Sequence, residues 1–377
     1  MDRIKIAYLD FSPHYAGAER ALATIIANLD RTKFEPIIVF PYPLPHHKRY
    51  NELNCSMQYL CSKVKWWMGT ERWSKPPRGT DFLKRTIFGH LLSEFLLKEN
   101  IKILHVNLLR PDSTMWLMES HSKGIKIIGH FRSLPKEWIP GPNLQKCVDV
   151  LISVSNIVKA NADTVYFHPN SIVIYDSVSS TRFNTKNAKS LNARPKIISS
   201  VAALFPNKGH DNAIIAFSKI TTELPGYSLH IVGGGNKEEL VRLEQLAYQY
   251  EVSDKVFFSK GQVDDVASVY RNSQLVLSLT KEGEAFGLVP YEAALCGTPV
   301  IAPNRGAITE LLHDGQSSIF VDTTDVDAIA KKILWALNNL NECSNIVNET
   351  QVVIGNKLTP TVMTSKLMAL YSELSKF

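Results

Sequence analysis

The sequence contains no apolar run that approaches the roughly 20 residues needed to span a membrane. Its first residues, MDRIKIAYL, place charges between apolar side chains, so we expect no signal peptide. These two absences argue against a secreted or membrane-spanning protein. We therefore predict a cytoplasmic protein, either free in solution or held at the inner face of the plasma membrane.

Cysteine is scarce and scattered. The five cysteines are an odd number and form no C-x-x-C pair: Cys55, Cys61, Cys147, Cys296 and Cys343. This distribution argues against a disulfide framework and against a structural zinc site. A reducing compartment fits it best.

The sequence also lacks any polar tract long enough to suggest disorder. Hydrophobic residues make up 45% of the chain and charged residues 21%, which is typical of a folded protein. With 377 residues the chain exceeds the roughly 250 to 300 residues that one hydrophobic core supports. We therefore expect two domains.

Short β-branched runs alternate with helical segments in both halves of the chain, which predicts two α/β domains with parallel sheets. The predicted strands are residues 4–9, 36–40, 103–106, 126–129 and 150–154, and then 196–201, 228–232, 256–258, 275–278, 299–302 and 318–321. The polar stretch 176–195 between the two series is interpreted as a linker. Ligands of such sheets bind beyond the carboxyl ends of the strands.

These patterns predict an N-terminal domain over residues 1–185 and a C-terminal domain over residues 186–355. The remaining residues, 356–377, contain a helix whose apolar side chains recur near helical spacing. We expect this helix to pack on another element, with the N-terminal domain as the candidate.

The segment 278–302 is the most informative one. It comprises a strand, a loop, a helix with Pro290 in its first turn and Gly297 just past its end, and another strand. Glu284 lies in the loop and Glu292, eight residues later, lies in the helix. The two carboxylates could therefore reach different parts of one ligand.

Between the two glutamates, the amides of Phe286, Gly287 and Leu288 fall at the predicted helix N-terminus. Unpaired N–H groups at such a position favour an anion such as a phosphate.

The E-x7-E spacing with AFGL inside it, followed by CGTPVIA and ITELLHDG, resembles family 4 of the retaining GT-B glycosyltransferases. Further landmarks stand in the family's order at residues 17–20 (GAER), 153–155 (SVS), 205–210 (FPNKGH) and 229–235 (LHIVGGG). The resemblance implies an α/β protein with the GT-B fold, in which two Rossmann-like domains face each other across a cleft.

The resemblance also implies residue roles. Glu284 would lie against the hydroxyls of the transferred sugar, Glu292 would hold the ribose of the nucleotide, and Lys208 would neutralise the diphosphate. His130 matches a family histidine near the sugar. The implied catalytic residues are Glu284, Lys208 and His130, and the implied donor-binding residues are Gly17, Lys208, Glu284, Ala285, Phe286, Gly287, Leu288 and Glu292.

The implied activity is the retaining transfer of a hexose or related sugar from a nucleotide-diphosphate donor to a glycan or polyprenol-linked acceptor. The product would belong to a cell-surface polysaccharide such as lipopolysaccharide, capsule or exopolysaccharide. We expect no cofactor and no metal. The D-x-D sequence Asp325-Val-Asp327, a metal motif in other glycosyltransferases, starts a predicted helix here, so we interpret it as an N-cap.

One departure from the family leaves alternatives open. The family arginine before the lysine is replaced by Ala203. Arg132, Arg20 or His210 could substitute for it, donor affinity could be lower, or the chain could be a non-catalytic partner of an active transferase. A nucleotide-sugar epimerase or a phosphorylase of the same architecture fits the motifs less well.

A basic stretch at residues 63–85 holds seven basic residues, three tryptophans and two acidic residues; the basic ones are Lys63, Lys65, Arg72, Lys75, Arg78, Lys84 and Arg85. It is either a solvated loop with its tryptophans packed on the domain or a contact with an anionic membrane surface. We expect no nucleic acid as a partner, because the charge is local and no recognised module surrounds it. The triple glycine at 233–235 lacks the G-x-G-x-x-G spacing of a dinucleotide site, which favours a tight turn.

Overall fold

The computed structural model describes residues 3–12, 15, 17–61, 80–109, 114–134, 144–165, 167–259, 261 and 263–376. The chain divides into two compact units: Met1–Ser177 together with Pro360–Phe377, and Val178–Thr359. The division lies close to residue 177, a few residues before the boundary that the sequence predicts. Each unit is an α/β domain.

The first unit is built on a seven-stranded sheet with the order β3-β2-β1-β4-β5-β6-β7, in which all paired strands are parallel. Its strands are β1 (Ile4–Leu9), β2 (Phe34–Phe40), β3 (Ser56–Tyr59), β4 (Ile103–Val106), β5 (Lys126–Phe131), β6 (Val150–Ser153) and β7 (Ser171–Val173). Its helices up to that point are α1 (Gly17–Ala27), α2 (Thr80–Lys98), α3 (Thr114–Ser122), α4 (Leu144–Cys147) and α5 (Asn156–Val165).

The second unit is built on a six-stranded parallel sheet with the order β10-β9-β8-β11-β12-β13. Its strands are β8 (Ile197–Val201), β9 (Ser228–Val232), β10 (Val256–Phe258), β11 (Leu275–Leu277), β12 (Val300–Pro303) and β13 (Ile319–Val321). Its helices are α6 (His210–Ser218), α7 (Lys237–Gln249), α8 (Val266–Asn272), α9 (Val289–Leu295), α10 (Val326–Asn338) and α11 (Leu340–Lys357).

The strands are buried because helices cover them, as near-continuous apolar strands of parallel sheets require. In the second unit, Ile198, Leu229 and Leu277 are part of a core to which α6 and α10 contribute Phe217 and Ile333. The α/β prediction with two parallel sheets is confirmed.

The turn after β9 explains the triple glycine. A Cβ atom on Gly233 would lie 1.8 Å from the carbonyl oxygen of Ala202, so the backbone passes too close for any side chain. The chain then turns into α7, whose N-cap is Asn236. The prediction of a tight strand-to-helix turn is confirmed.

The stretch that we interpreted as a linker belongs largely to the second unit. Arg194 is buried and donates hydrogen bonds to the Ser273 carbonyl (2.9 Å), the Thr298 hydroxyl (2.7 Å) and the Gly297 carbonyl (3.0 Å). The stretch thus contains the division between the two units at residue 177, and Arg194 near its end anchors it to the second unit by satisfying buried polar groups.

The last helix, α12 (Pro360–Leu374), belongs to the first unit. Its Met363, Leu367 and Tyr371 are buried in the same core as Ile6 of β1 and Phe34 of β2. None of the helices in the described part of the chain combines the length and the apolar character of a membrane span.

Candidate functional site

Each sheet has a topological switch point, which is where parallel α/β sheets bind ligands. In the second sheet the chain runs outward from β8 to β10 and then returns, so that β11 lies on the other side of β8. Lys208 follows β8, at the end of a short 3₁₀ turn at Pro206–Lys208, and Glu284 follows β11. The two predicted residues therefore extend from the two strands that flank the switch point.

The structure brings these two side chains together. The Lys208 ammonium donates a hydrogen bond of 2.5 Å to Glu284 Oε1, and the Thr280 hydroxyl donates to the same oxygen at 2.9 Å. The Lys208 and Glu284 side chains are 25% and 24% exposed. The ion pair is thus held in place from both sides and can still be reached from solvent.

Gly209 fixes the position of Lys208. Its φ of +73° lies in the left-handed region, and a Cβ atom there would lie 2.0 Å from the carbonyl oxygen of Leu279. Only glycine permits this approach between the turn after β8 and the end of β11. The K-G-H sequence therefore has a structural reason besides the charge of its lysine.

The predicted donor-binding residues 285–288 lead from Glu284 into α9. Phe286 is buried and stacks on Tyr291 with ring centroids 5.5 Å apart. Gly287 has a φ of +78°, and a Cβ atom there would lie 2.7 Å from Glu284 Oε2. Glu284, Phe286 and Gly287 line a small pocket together with Ser278, Pro303 and Arg305.

Glu292 is placed differently from Glu284. It lies in α9, is 5% exposed, and its Oε2 accepts a hydrogen bond of 3.0 Å from the Tyr270 hydroxyl. The described contacts connect Lys208 with Glu284 directly, while Glu292 is held by its own buried partner. Its assignment to the ribose stays a prediction.

The remaining predicted site residues lie in the first unit. His130 is on β5 and is 1% exposed. Gly17 begins α1, and a Cβ atom there would have no described atom within 4 Å. The packing of the described residues thus does not require a glycine at this position, which leaves the close approach of a ligand as the predicted reason for it.

Two of the three proposed substitutes for the missing arginine already form hydrogen bonds with other protein groups. Arg132 is buried and forms an ion pair of 2.5 Å with Asp176, and its Nε donates to the Asn107 carbonyl and side-chain oxygens. His210 contacts the Ser200 hydroxyl and the Ala202 carbonyl through its two ring nitrogens. We therefore withdraw Arg132 and His210 as phosphate ligands. Arg20 Nε is buried and has no hydrogen-bond partner among the described residues, so this candidate remains.

The sequence of the second unit matches a known family model. Residues 181–352 match the family model of the group 1 glycosyl transferases. The match covers nearly all of the second unit, Val178–Thr359.

The curated relatives include a synthase and a mannosyltransferase. The N-acetyl-alpha-D-glucosaminyl L-malate synthase of Bacillus anthracis is 26% identical over 265 residues, which covers 66% of this chain and 68% of the relative. A GDP-mannose-dependent alpha-(1-6)-phosphatidylinositol monomannoside mannosyltransferase of Mycolicibacterium smegmatis is 32% identical over 150 residues, 38% of each protein. The match thus spans well under half of the second relative's length.

Solved structures show the same fold over the full chain. A glycosyltransferase from Rickettsia africae has a TM-score of 0.82 at 19% identity and covers 100% of both chains. Anabaena HepE in complex with UDP and glucose has a TM-score of 0.80 at 16% identity and covers 98% of this chain and 100% of that one. The prediction of a GT-B fold with two Rossmann-like domains is confirmed, and the findings support a group 1 glycosyltransferase.

The structure adds a residue that sequence reasoning missed. Asp10 follows β1 at the switch point of the first sheet and is 1% exposed. Its carboxylate accepts from the Tyr50 hydroxyl (2.9 Å) and the Ser12 amide (3.0 Å). Burial and the nearby Glu19 raise the pKa of Asp10 to about 7. The signal was its place directly after a buried strand, at the carboxyl end where parallel sheets bind ligands.

The acidic residues considered for metal binding have other roles. Asp325 caps α10 by accepting from the Ala328 amide at 2.9 Å, so the N-cap prediction is confirmed. Its neighbour Asp327 pairs with Lys219. His90, Glu94 and Glu119 lie close together on α2 and α3, but Lys123 donates to both carboxylates at 2.9 Å. The Lys123 ammonium thus already offsets part of the negative charge of that group.

The predicted membrane contact at residues 63–85 cannot be placed on this framework. Residues 62–79 lie outside the described residues, and for residues 80–84 only the backbone of α2 is described. Both interpretations of the stretch stay predictions.

Proposed function

We propose that this protein is a retaining, metal-independent glycosyltransferase that moves a hexose or related sugar from a nucleotide-diphosphate donor to a glycan or polyprenol-linked acceptor. One observation carries the proposal: the 2.5 Å contact between Lys208 and Glu284 at the switch point of the second sheet. A cation and a carboxylate that share one solvent-reachable position match the two ends of a nucleotide-diphosphate sugar. The diphosphate requires positive charge, and the sugar hydroxyls require hydrogen-bond acceptors.

The chemistry of the reaction assigns a role to each charge. As the bond from the sugar carbon C1 to the phosphate oxygen breaks, negative charge develops on the diphosphate and positive charge on the sugar ring. A fixed ammonium near the leaving oxygens lowers this barrier. In the proposal, the Lys208 ammonium turns from Glu284 to the diphosphate, and Glu284 accepts hydrogen bonds from the sugar hydroxyls.

Retention of configuration follows if the acceptor attacks from the face that the phosphate leaves. The bond from C1 to the acceptor oxygen forms as the bond to the phosphate oxygen breaks, and that phosphate oxygen takes the acceptor's proton. This route needs no general base from the protein. The chain's task is to hold the donor, orient the sugar and stabilise the departing charge.

The names of two relatives describe different classes of acceptor. The name of the mycobacterial relative describes a lipid-linked sugar as its acceptor, and the name of the Bacillus relative describes L-malate. We place the protein in cell-surface polysaccharide synthesis, at the inner face of the plasma membrane through residues 63–85. A liposome sedimentation assay would test the membrane contact. The protein should sediment with liposomes of anionic lipid, and replacing the seven basic residues of that stretch should abolish this binding.

The activity itself is tested with the purified full chain and UDP-, GDP-, ADP- and TDP-sugars. The account expects hydrolysis or transfer with one nucleotide, unchanged by EDTA. Proton NMR of the initial product should show the anomeric configuration of the donor. An inverted product would refute retention, and inhibition by EDTA would refute metal independence. Binding without turnover of any donor would favour the non-catalytic partner that Ala203 leaves open.

A further inference from the structure

A chain of buried polar side chains links the C-terminal helix to His130. The Tyr8 hydroxyl donates to the Tyr371 hydroxyl at 3.2 Å, and the Tyr371 hydroxyl lies 2.7 Å from His105 Nδ1. His105 Nε2 then lies 3.2 Å from His130 Nδ1. All four side chains are almost fully buried. Three of them come from neighbouring strands, β1, β4 and β5, and Tyr371 comes from α12.

Arg132 fixes the direction of this chain. Its guanidinium can only donate, and its Nη2 lies 3.3 Å from His130 Nδ1, so this nitrogen must be an acceptor. A neutral histidine whose Nδ1 accepts carries its proton on Nε2. The same Nδ1 can take a hydrogen bond from His105 only if His105 is also protonated on Nε2. His105 Nδ1 is then the acceptor for the Tyr371 hydroxyl.

The result is a run of donors that all point the same way, from Tyr8 through Tyr371 and His105 to His130. It ends at the His130 Nε2–H group, which is buried and has no hydrogen-bond partner among the described residues. A buried donor without a partner is costly, and native proteins retain few of them. Such a group indicates a ligand atom that completes it.

We propose that Tyr371 and His105 are positioning residues, which hold the His130 ring so that its Nε2–H group donates to a hydroxyl oxygen of the transferred sugar. The identity of the ligand, the transferred sugar, rests on the proposed function. The tautomers of the two histidines and the direction of the hydrogen bonds do not. The C-terminal helix thereby contributes to the site through its Tyr371 hydroxyl, in addition to the apolar packing of Met363 and Leu367.

The electrostatic setting agrees with neutral imidazoles. Burial, together with the Arg132 charge, lowers the pKa of His105 to about 3 and holds the pKa of His130 well below its usual range. Burial also raises the pKa of both tyrosines, so their hydroxyls keep the protons that they donate. Each ring therefore has one donor nitrogen and one acceptor nitrogen at neutral pH.

Nitrogen-15 NMR of the full chain with labelled histidine tests the arrangement without any substrate. The proposal expects His105 and His130 to give the signature of the neutral Nε2–H tautomer in long-range proton–nitrogen spectra, with assignment from the His105→Gln and His130→Gln variants. Tyr371→Phe should shift the nitrogens of His105 and of His130. A wild-type His130 protonated on Nδ1 would overturn the proposal.

Tyr8→Phe is the matched control, because it removes a hydroxyl from the same core and leaves the bond from Tyr371 to His105 intact. With the donor that supports turnover, Tyr371→Phe should lower kcat about tenfold, equivalent to about 1.4 kcal/mol, with little change in KM. Tyr8→Phe should keep the histidine spectrum and kcat near wild type. Equal losses in the two variants, or no loss in Tyr371→Phe, would show a purely structural role and contradict the proposal. If the wild type uses no donor but shows the expected tautomers, the proposed function fails and the tautomer assignment stands.

Discussion

Lys208 Nζ and Glu284 Oε1 lie 2.5 Å apart although 76 positions separate the two residues in the chain. The sheet creates this proximity, because β8 and β11 are neighbours and both residues follow their carboxyl ends. Thr280 holds the carboxylate from the other side. The two charges therefore lie side by side before any ligand arrives, and the Lys208 ammonium has only to turn from Glu284 to meet the diphosphate.

The first prediction concerns this pair. Lys208→Met should lower kcat about 100-fold or more, because the charge that develops on the diphosphate loses its fixed counter-ion. Glu284→Gln should lower kcat/KM as well, since a neutral amide accepts hydrogen bonds from the sugar hydroxyls more weakly than a carboxylate does. Steady-state kinetics with the active donor measure both.

Lys219→Gln provides the control for charge removal. Lys219 pairs with Asp327 at a similar distance, 2.7 Å, but on the exposed surface of α6 and α10. This variant should keep wild-type kinetics. Wild-type kinetics in Lys208→Met as well would remove the basis for the proposed site.

The second prediction concerns Gly209. Gly209→Ala should destabilise the second unit by more than about 2 kcal/mol, because the added Cβ would meet a backbone oxygen that cannot move away alone. Gly315→Ala is the matched comparison, with a similar φ of +70° and no atom within 4 Å of the added Cβ. It should cost only about 1 kcal/mol, from the left-handed backbone alone. Urea unfolding compares them, and equal costs would show that the contact with Leu279 is unimportant.

The third prediction concerns Asp10 and pH. The folded pKa of about 7 lies above the ordinary value of 3.8, so the folded state keeps a proton that the unfolded state has lost. Stability should therefore fall as the pH rises from about 4 to about 7, by an amount of the order of a few kcal/mol, and then level off. Asp10→Asn should abolish this dependence. Its free energy of unfolding, compared with that of the wild type at the same pH, should therefore be higher at pH 8 than at pH 4. Parallel stability–pH curves of the variant and the wild type would contradict the raised pKa.

The fourth prediction separates structure from ligand binding at Arg132. Arg132→Met leaves Asp176 buried without its partner and should destabilise the first unit by about 3 to 5 kcal/mol. Adding Asp176→Asn should recover part of that loss. Because Arg132 is committed to this pair, the Kd for the nucleoside diphosphate should stay within about twofold of wild type in either variant. A large rise in Kd would restore Arg132 as a phosphate ligand.

Most of the fold could be predicted from local patterns. Strands such as Ile4–Leu9, Ile103–Val106 and Ser228–Val232 are apolar because both faces of the sheet are covered, and such runs are visible in the sequence. The sequence patterns did not reveal β3 (Ser56–Tyr59) and β7 (Ser171–Val173), which form the two edges of the first sheet. Edge strands are short and partly exposed, so their sequences carry little of that pattern.

The candidate site was only partly predictable, since its partners come from distant segments. The motif around Glu284 identified one half of the ion pair, and the K-G-H turn identified the other. The side chains that hold a site residue in place could not be predicted from local motifs. Nothing in the sequence around Arg132 indicates Asp176, and nothing around His105 indicates Tyr371, because only the folded sheet and α12 bring them into contact.

The most direct test of the account is calorimetric titration of the nucleotide-sugar donor into the full-length wild type and into Lys208→Met. The account predicts a donor that binds the wild type at a single site and binds the variant at least tenfold more weakly, the loss expected when a charged partner of the diphosphate is removed. Equal affinity of the two proteins for that donor would contradict the assignment of the Lys208 and Glu284 pair as the donor site.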